Sequence, residues 1–394
     1  MKMHDIFQAY NEYVIPSYSK VPLIFVKGKG SNLWDIHSKK YLDFFPGWGV
    51  GNLGHCHPKV MAAIRDQVSK LIFVPNNYHN LPQAKLAKEL AFWTKGSFKA
   101  FFCNSGAEAN EAAIKLSRKF GQGRFEIITF KDSFHGRTLA ALSATGQEKY
   151  QQGFSPLVGG FKTVAFNDYE AVQAAVTDKT VAIMLELIQG EGGINIAEKD
   201  FVLSLRRLCD EKKLLLMVDE VQTGIGRTGT MFCWQNYGII PDVFTLAKSL
   251  GGGLPIGVMM AKKEYADLLT PGTHASTFGG GPVVSKAALA VLNAVGKEKL
   301  LPHCKEMGAY LTEKLKALQS KYEVIKDVRT MGLMCGVELR RPGKSIVEAC
   351  IQKGLLINCT HETVLRIMPA LNVTKKQINT AVYILDSVLG EVKL

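Results

Sequence analysis

Two kinds of apolar spacing divide the chain. Short unbroken runs occur at Phe101-Phe102-Cys103, Phe125 to Phe130, Val181 to Glu186, Leu214 to Val218 and Val243 to Ala247. Their length and composition predict strands covered on both faces, the pattern of a parallel sheet. Helical periodicity instead marks Lys59 to Leu71, Gln83 to Trp93 and Asn110 to Phe120. Nearer the start, Phe25-Val26, Leu33-Trp34-Asp35 and Tyr41-Leu42-Asp43-Phe44 alternate with glycine and lysine. That alternation predicts a small antiparallel meander behind a short arm of residues 1–20. From about residue 300 the pattern changes to separate apolar stretches around Val324-Ile325, Leu333 to Leu339 and Leu355-Leu356-Ile357, as expected of a small sheet with helices. The prediction is an α/β protein, and 394 residues suffice for two domains.

Two of the runs end on an ionisable side chain. Leu214 to Val218 breaks into Asp219-Glu220-Val221-Gln222-Thr223-Gly224. Val243 to Ala247 breaks into Lys248-Ser249-Leu250, followed by Gly251-Gly252-Gly253. The carboxyl ends of strands face the crevice in which open α/β sheets bind ligands. A lone lysine beside glycines is ordinarily a solvated side chain. At the end of a buried strand its amine is partly desolvated, which lowers its pKa from ~10.4 and makes it a better nucleophile toward a carbonyl. A carbonyl cofactor with a basic ring nitrogen would use both residues, the lysine at the carbonyl carbon and the aspartate at the protonated nitrogen. Pyridoxal 5'-phosphate has that chemistry.

Such a cofactor also needs a phosphate cradle. Asn104-Ser105-Gly106-Ala107 opens a strong helical pattern, with Ser105 where an N-cap would stand and Gly106 leaving room for an anion. Free amides and the helix dipole bind phosphate at such a place. Alone, the stretch describes any capped helix; beside Asp219 and Lys248 it predicts a cradle of Ser105, Gly106 and Ala107. The strand Phe125 to Phe130 delivers Phe134 and Arg137 to the same crevice. An aromatic there can stack on a pyridine ring, although core packing accounts equally well for a lone phenylalanine. The forked guanidinium of Arg137 suits a carboxylate.

These residues lie in motifs that together resemble the class III pyridoxal-phosphate-dependent aminotransferases, the group of the acetylornithine, ornithine and 4-aminobutyrate transaminases. The motifs are Leu33-Trp34-Asp35, Leu53-Gly54-His55-Cys56-His57-Pro58, Ser105-Gly106-Ala107-Glu108-Ala109-Asn110, Phe134-His135-Gly136-Arg137-Thr138, Gln189-Gly190-Glu191-Gly192-Gly193, Asp219-Glu220-Val221-Gln222-Thr223-Gly224 and Leu246-Ala247-Lys248. The resemblance implies an aspartate-aminotransferase-like fold (fold type I), with a mainly parallel seven-stranded sheet in a large domain and a small α+β domain. It implies a division into residues 1–48 (arm and part of the small domain), 49–295 (large cofactor-binding domain) and 296–394 (C-terminal small domain). A homodimer with active sites at the subunit interface follows from it, with residues 74–80 near that boundary and the glycine-rich stretch 46–52 at the substrate entrance.

The same resemblance assigns roles. Val221 and Phe134 would sandwich the ring, Gln222 would bond its hydroxyl, and Thr277 would reach the phosphate of the neighbouring subunit's cofactor. Arg137 and Ser276 would face substrate. Glu191 would pair with Arg366, and with the glutamate swung away Arg366 would take an α-carboxylate. Leu187 stands where the family usually has proline, Ala275 where it has glycine and Gly281 where it has asparagine. The implied activity is amino-group transfer with Lys248 as acid and base. Motif set and length are most similar to the enzymes that convert N2-acetyl-L-ornithine and 2-oxoglutarate to N-acetyl-L-glutamate 5-semialdehyde and L-glutamate in arginine biosynthesis. Ornithine, succinylornithine, succinyl-diaminopimelate and 4-aminobutyrate remain as alternative donors. An aminomutase or racemase on the same fold, or a silent binding protein, remains from other classes.

Composition narrows the picture further. The formal net charge is +13, with basic residues scattered rather than gathered into a stripe. That disfavours a nucleic-acid surface and suits anionic substrates. Eight cysteines without a CxxC spacing predict reduced thiols, not a disulfide framework. The first residues lack the apolar core of a signal peptide, and no apolar run is long enough for a bilayer, so the expectation is a cytoplasmic protein without a membrane partner. His55-Cys56-His57 lacks a second ligand pair and is expected to be a turn before Pro58, not a metal site. Gly224-Ile225-Gly226-Arg227-Thr228-Gly229 has the spacing of a dinucleotide fingerprint, but it neither follows its strand directly nor opens a helix. It is expected to turn the chain back under the cofactor.

Overall fold

The computed structural model describes residues 3–391. At its centre is a seven-stranded sheet in the order Phe98–Cys103, Gly257–Lys262, Val243–Leu246, Leu215–Asp219, Thr180–Leu185, Glu126–Phe130, Phe161–Val164. Gly257–Lys262 runs antiparallel to both neighbours, and the other adjacent pairs are parallel. Every residue of Thr180–Leu185, Leu215–Asp219 and Val243–Leu246 is buried. The unbroken apolar runs have a two-residue period hidden in them. Leu216 and Val218 join one core, with Phe201 and Leu205 of the helix Lys199–Lys212 and Val291 of the helix Pro282–Lys297. Leu215 and Met217 join a second core, with Ile114 and Leu116 of the helix Gly106–Gly121. With helices on both faces, neither set can be polar. Each such aliphatic side chain contributes roughly 1.5–3 kcal/mol by leaving water.

Register then sets the chemistry. Asp219 lies opposite Thr245, and Val218 opposite Leu185. Glu186, one residue past its strand, therefore emerges beside Asp219. Glu186, Asp219 and Thr245 form one row at the carboxyl edge of the sheet.

Two smaller sheets flank this layer. Phe25–Lys29, Asn32–Asp35 and Lys40–Asp43 form the expected antiparallel meander, and Leu355–Leu356 adds a parallel fourth strand. Ile325–Met331, Met334–Leu339, Val364–Ile367 and Asn358–Thr360 form the other. The run Leu355-Leu356-Ile357 thus serves the N-terminal sheet, not the C-terminal one expected of it; the chain crosses between sheets at Ile357. Residues 1–2 of the N-terminal arm lie outside the described residues, and Met3–Tyr13 is a helix with no buried residue.

The stretch Gly224–Gly229 is a turn, with the Gly229 N–H donating to the Gly226 carbonyl. It contributes nothing to the crevice described below. Its Arg227 is fully buried and donates to Asn52 Oδ1 and to the carbonyls of Leu333 and Pro369, tying early and late segments together. His55 bonds Asp43 at 2.7 Å, and His57 precedes the helix Pro58–Val68, whose proline suits a first turn that needs no N–H. Among the described residues, no group of three His, Cys, Asp or Glu is placed to hold a metal ion. The eight cysteines are free thiols, six of them buried. No described helix is long and apolar enough to cross a membrane.

Candidate active site

A cavity of about 480 Å³ opens where the sheet's carboxyl edge meets the start of the helix Gly106–Gly121. That volume suits a small ligand with a ring. Ser105, Gly106, Ala107, Phe134, Arg137, Glu191, Asp219, Val221, Gln222 and Lys248 all line it.

Asp219 is the most fully bonded group in the site. Its Oδ2 accepts from Asn110 Nδ2 and His135 Nδ1, both at 2.8 Å, and its Oδ1 accepts the Val221 N–H at 3.0 Å. A carboxylate accepts, so His135 carries its proton on Nδ1. Asn110 is oriented in turn, because its Nδ2 also reaches the His135 carbonyl at 2.7 Å and its Oδ1 accepts the Thr245 hydroxyl at 2.8 Å. Such bonds fix a carboxylate before any ligand arrives.

The lysine does not end its strand as expected. The strand stops at Leu246, and Lys248 opens a 3₁₀ turn, Lys248–Gly251, with φ +41°. A non-glycine residue in that region costs about 1–2 kcal/mol, a cost met mainly at functional sites. Protein packed around the amine lowers its pKa; Arg366 pushes the same way, while Glu191 and Asp219 oppose.

Arg366 is fully buried behind Glu191. Its Nη1 donates to Glu191 Oε1 and to the Gly190 carbonyl, both at 2.7 Å, and its Nη2 donates to Asn358 Oδ1 at 2.9 Å. The guanidinium also lies 4.7 Å from the centre of the Phe45 ring. Burial works against ionisation of Glu191, but Arg366, with Lys248 and Gln222, outweighs it and holds the carboxyl below its usual range. Arg137 is stacked over the Tyr150 ring at 4.1 Å.

At the other end, Ser105 is the N-cap of Gly106–Gly121 and accepts the Glu108 N–H at 3.1 Å. Glu108 reaches back to the Asn104 N–H at 2.9 Å, a near relative of the capping box. A Cβ on Gly106 would sit 2.8 and 2.9 Å from the two Val221 methyls, so only glycine lets the helix end approach that wall.

Two candidates stand apart. Ser276 Oγ accepts from Asn104 Nδ2 at 3.0 Å, one residue outside the lining, and Thr277 is exposed.

A family model for the class-III aminotransferases matches residues 13–389. The chain belongs to that family. Acetylornithine aminotransferase of Methanocaldococcus jannaschii is 51% identical across the whole of both chains. The acetylornithine aminotransferase of Aquifex aeolicus is 48% identical, covering 96% of this chain and 100% of its own. Among solved structures, ornithine aminotransferase from Toxoplasma gondii superposes with a TM-score of 0.95 at 31% identity, over 99% of this chain and 96% of that one. Acetylornithine aminotransferase from Elizabethkingia anophelis gives 0.89 at 28% identity over all of both chains.

A class-III aminotransferase depends on pyridoxal phosphate, so this chain is a pyridoxal-phosphate-dependent aminotransferase of fold type I. Its residues fit that cofactor. Gln222 Oε1 and His135 Nε2 are buried without a partner. Gln222 lines the cavity, and its Oε1 is an acceptor without a partner in the chain. The capped helix end offers amides to a phosphate, and Asp219 and Lys248 border the same space.

Asn110, His135, Thr245 and Glu186 had no role in the reading of the sequence. Asn110 and His135 lie inside quoted motifs, so a signal was present. What could not be read was that a helix residue and a loop residue converge on one carboxylate oxygen.

Proposed function

We propose that the enzyme transfers the amino group of N2-acetyl-L-ornithine to 2-oxoglutarate, giving N-acetyl-L-glutamate 5-semialdehyde and L-glutamate, as a cytoplasmic step of arginine biosynthesis. The observation that carries the donor is the 51% identity, end to end, with a protein named acetylornithine aminotransferase.

Ser105, Gly106 and Ala107 would hold the phosphate, Val221 and Phe134 the ring faces, Gln222 the ring hydroxyl, Asp219 the ring nitrogen and Lys248 the carbonyl carbon. Bound there, pyridoxal phosphate supplies a carbonyl that takes up the amino group and a ring that accepts electrons. Lys248 Nζ, its pKa lowered by burial, would act as the base that takes the proton from the amine-bearing carbon of the donor and as the acid that returns it. Asp219, fixed by Asn110, His135 and the Val221 N–H, would hold the proton on the ring nitrogen. While Glu191 neutralises Arg366, the site takes a donor whose amine-bearing carbon carries no carboxylate. With Glu191 displaced, Arg366 grips the α-carboxylate of glutamate or 2-oxoglutarate. Arg137 and Ser276 contribute to substrate binding in this reading.

The reading includes a homodimer. Thr277 is exposed, and the adjacent Phe278 is 64% exposed while its ring leans on Phe73, an apolar patch that a second copy would cover. Thr277 would then reach across to the partner's phosphate. It also includes the division at 48 and 295, which the pairing of Leu355–Leu356 with Lys40–Asp43 supports.

Ornithine as donor is the second reading, favoured by the TM-score of 0.95 with an ornithine aminotransferase. Half-reaction spectra with N-acetylornithine, ornithine, succinylornithine and 4-aminobutyrate test both. The expected order puts N-acetylornithine first; a clear preference for ornithine or 4-aminobutyrate would reject it.

A further inference from the structure

We infer that Glu186 is a positioning residue that fastens two loops of the site, the ring-facing loop and the carboxylate-gating loop, to one point on the sheet. The second half of this inference rests on the proposed roles of Glu191 and Arg366.

Glu186 follows Thr180–Leu185 directly and is only 6% exposed. Each of its two oxygens serves a different loop. Oε1 accepts the Phe134 N–H at 2.8 Å, and Oε2 accepts the Gly190 N–H at 3.1 Å. A buried carboxylate is normally neutralised by a bonded cation. Here the bonded partners are two backbone amides, one from each loop.

Each anchored residue has consequences within the site. Phe134 lines the cavity, and the next residue, His135, donates to Asp219. A shift of the Phe134 amide therefore moves a ring-facing aromatic and a bond to Asp219 together. Gly190 is followed by Glu191, and its carbonyl receives Arg366 Nη1. It is also wedged, since a Cβ there would run into the Gln222 side chain. Glu186 thus reaches Arg366 through one peptide neighbour.

The charged groups around it are consistent with this role. Asp219 stands beside it in the row, and His135 and Lys248 lie within its electrostatic reach. Burial is the main cause that pushes the Glu186 acid up to about 7, opposed by His135 and by the two amides it accepts.

The test compares Glu186→Met, which removes both acceptors at similar length, with Glu186→Gln, which keeps one. Both are assayed as holoenzymes by the visible circular dichroism of the bound cofactor and by KM for 2-oxoglutarate. The dichroism needs no substrate, so it separates this inference from the substrate reading. Glu186→Met is expected to change the dichroism and to raise KM about tenfold, the scale of one lost hydrogen bond that a buried amide still needs. Glu186→Gln is expected to change at least one readout. Wild-type dichroism or wild-type KM in Glu186→Met, or wild-type values of both in Glu186→Gln, would overturn the inference. If neither variant folds, hydrogen exchange on the wild-type holoenzyme decides: slow exchange at both Phe134 and Gly190 supports the shared anchor, and free-loop rates at either refute it.

Discussion

The crevice has two walls of different construction. The inner wall is buried and bonded within one chain: Asp219, on the sheet's carboxyl edge, accepts from Asn110, His135 and the Val221 N–H, and Arg366, on the strand Val364–Ile367 of a smaller sheet behind Glu191, donates to three acceptors. The outer loop around Ser276 and Thr277 reaches the site through one bond to Asn104; its Ser276 carbonyl accepts from Asn76, Phe278 leans on Phe73, and Thr277 is exposed. Preorganised groups of the inner kind stabilise developing charge without reorganising. The chemical end of the site is built from buried, mutually bonded groups of one chain, while Thr277 and Phe278 at its outer end are exposed.

That contrast can be broken at several strengths. Lys248→Ala should abolish transfer, by at least about ten-thousandfold, because it removes both the covalent attachment and the acid–base group; steady-state assay checks it. Asp219→Asn should lower the rate about a thousandfold, since a carboxylate about 4 Å from a ring cation is worth on the order of 4 kcal/mol at an effective dielectric of 20. It should do so with the cofactor still bound. Arg366→Ala should raise KM for 2-oxoglutarate about a hundredfold, the worth of a bidentate charge-assisted contact, and change the donor's KM far less.

A fourth prediction concerns pH. Burial pushes Glu220 up to about 7, with the Thr223 hydroxyl and the Trp234 N–H opposing, and Glu186 is raised to the same level. A carboxyl raised in the fold binds more protons folded than unfolded. Its contribution is therefore most favourable below its ordinary value and is lost as pH rises to about 7. The melting temperature should fall between about pH 5 and pH 7, and Glu220→Gln should flatten that slope by an amount worth up to about 3 kcal/mol. The smallest effect belongs to the outer loop. Thr277→Ala should weaken cofactor retention only about fivefold, the loss of one hydrogen bond, and only under conditions where the protein is dimeric.

Much of the inner wall was legible in the sequence because strand ends announce themselves. An apolar run that stops at Asp219 or just before Lys248 fixes both the edge and the residue offered there. The N-cap at Ser105 was legible for a similar reason, since a serine before a glycine and a helical period has few other uses. The antiparallel strand Gly257–Lys262 was not legible: direction is set by the topology of its connection, which no local pattern records. The crossing of Leu355–Leu356 to the N-terminal sheet escaped for the same reason. Glu186 escaped differently. A glutamate after an apolar run looks like a solvated strand end, and only the convergence of two loops makes it an internal acceptor.

The central claim is that Lys248 carries the cofactor's carbonyl carbon while Asp219 holds the far side of the ring. Borohydride reduction of the yellow holoenzyme, followed by peptide mass mapping, tests it most directly. The account predicts the pyridoxyl phosphate mass on the peptide containing Lys248, in near-stoichiometric yield, and none on Lys248→Ala. Label on a different lysine, or an unmodified Lys248 in a fully active enzyme, would contradict it.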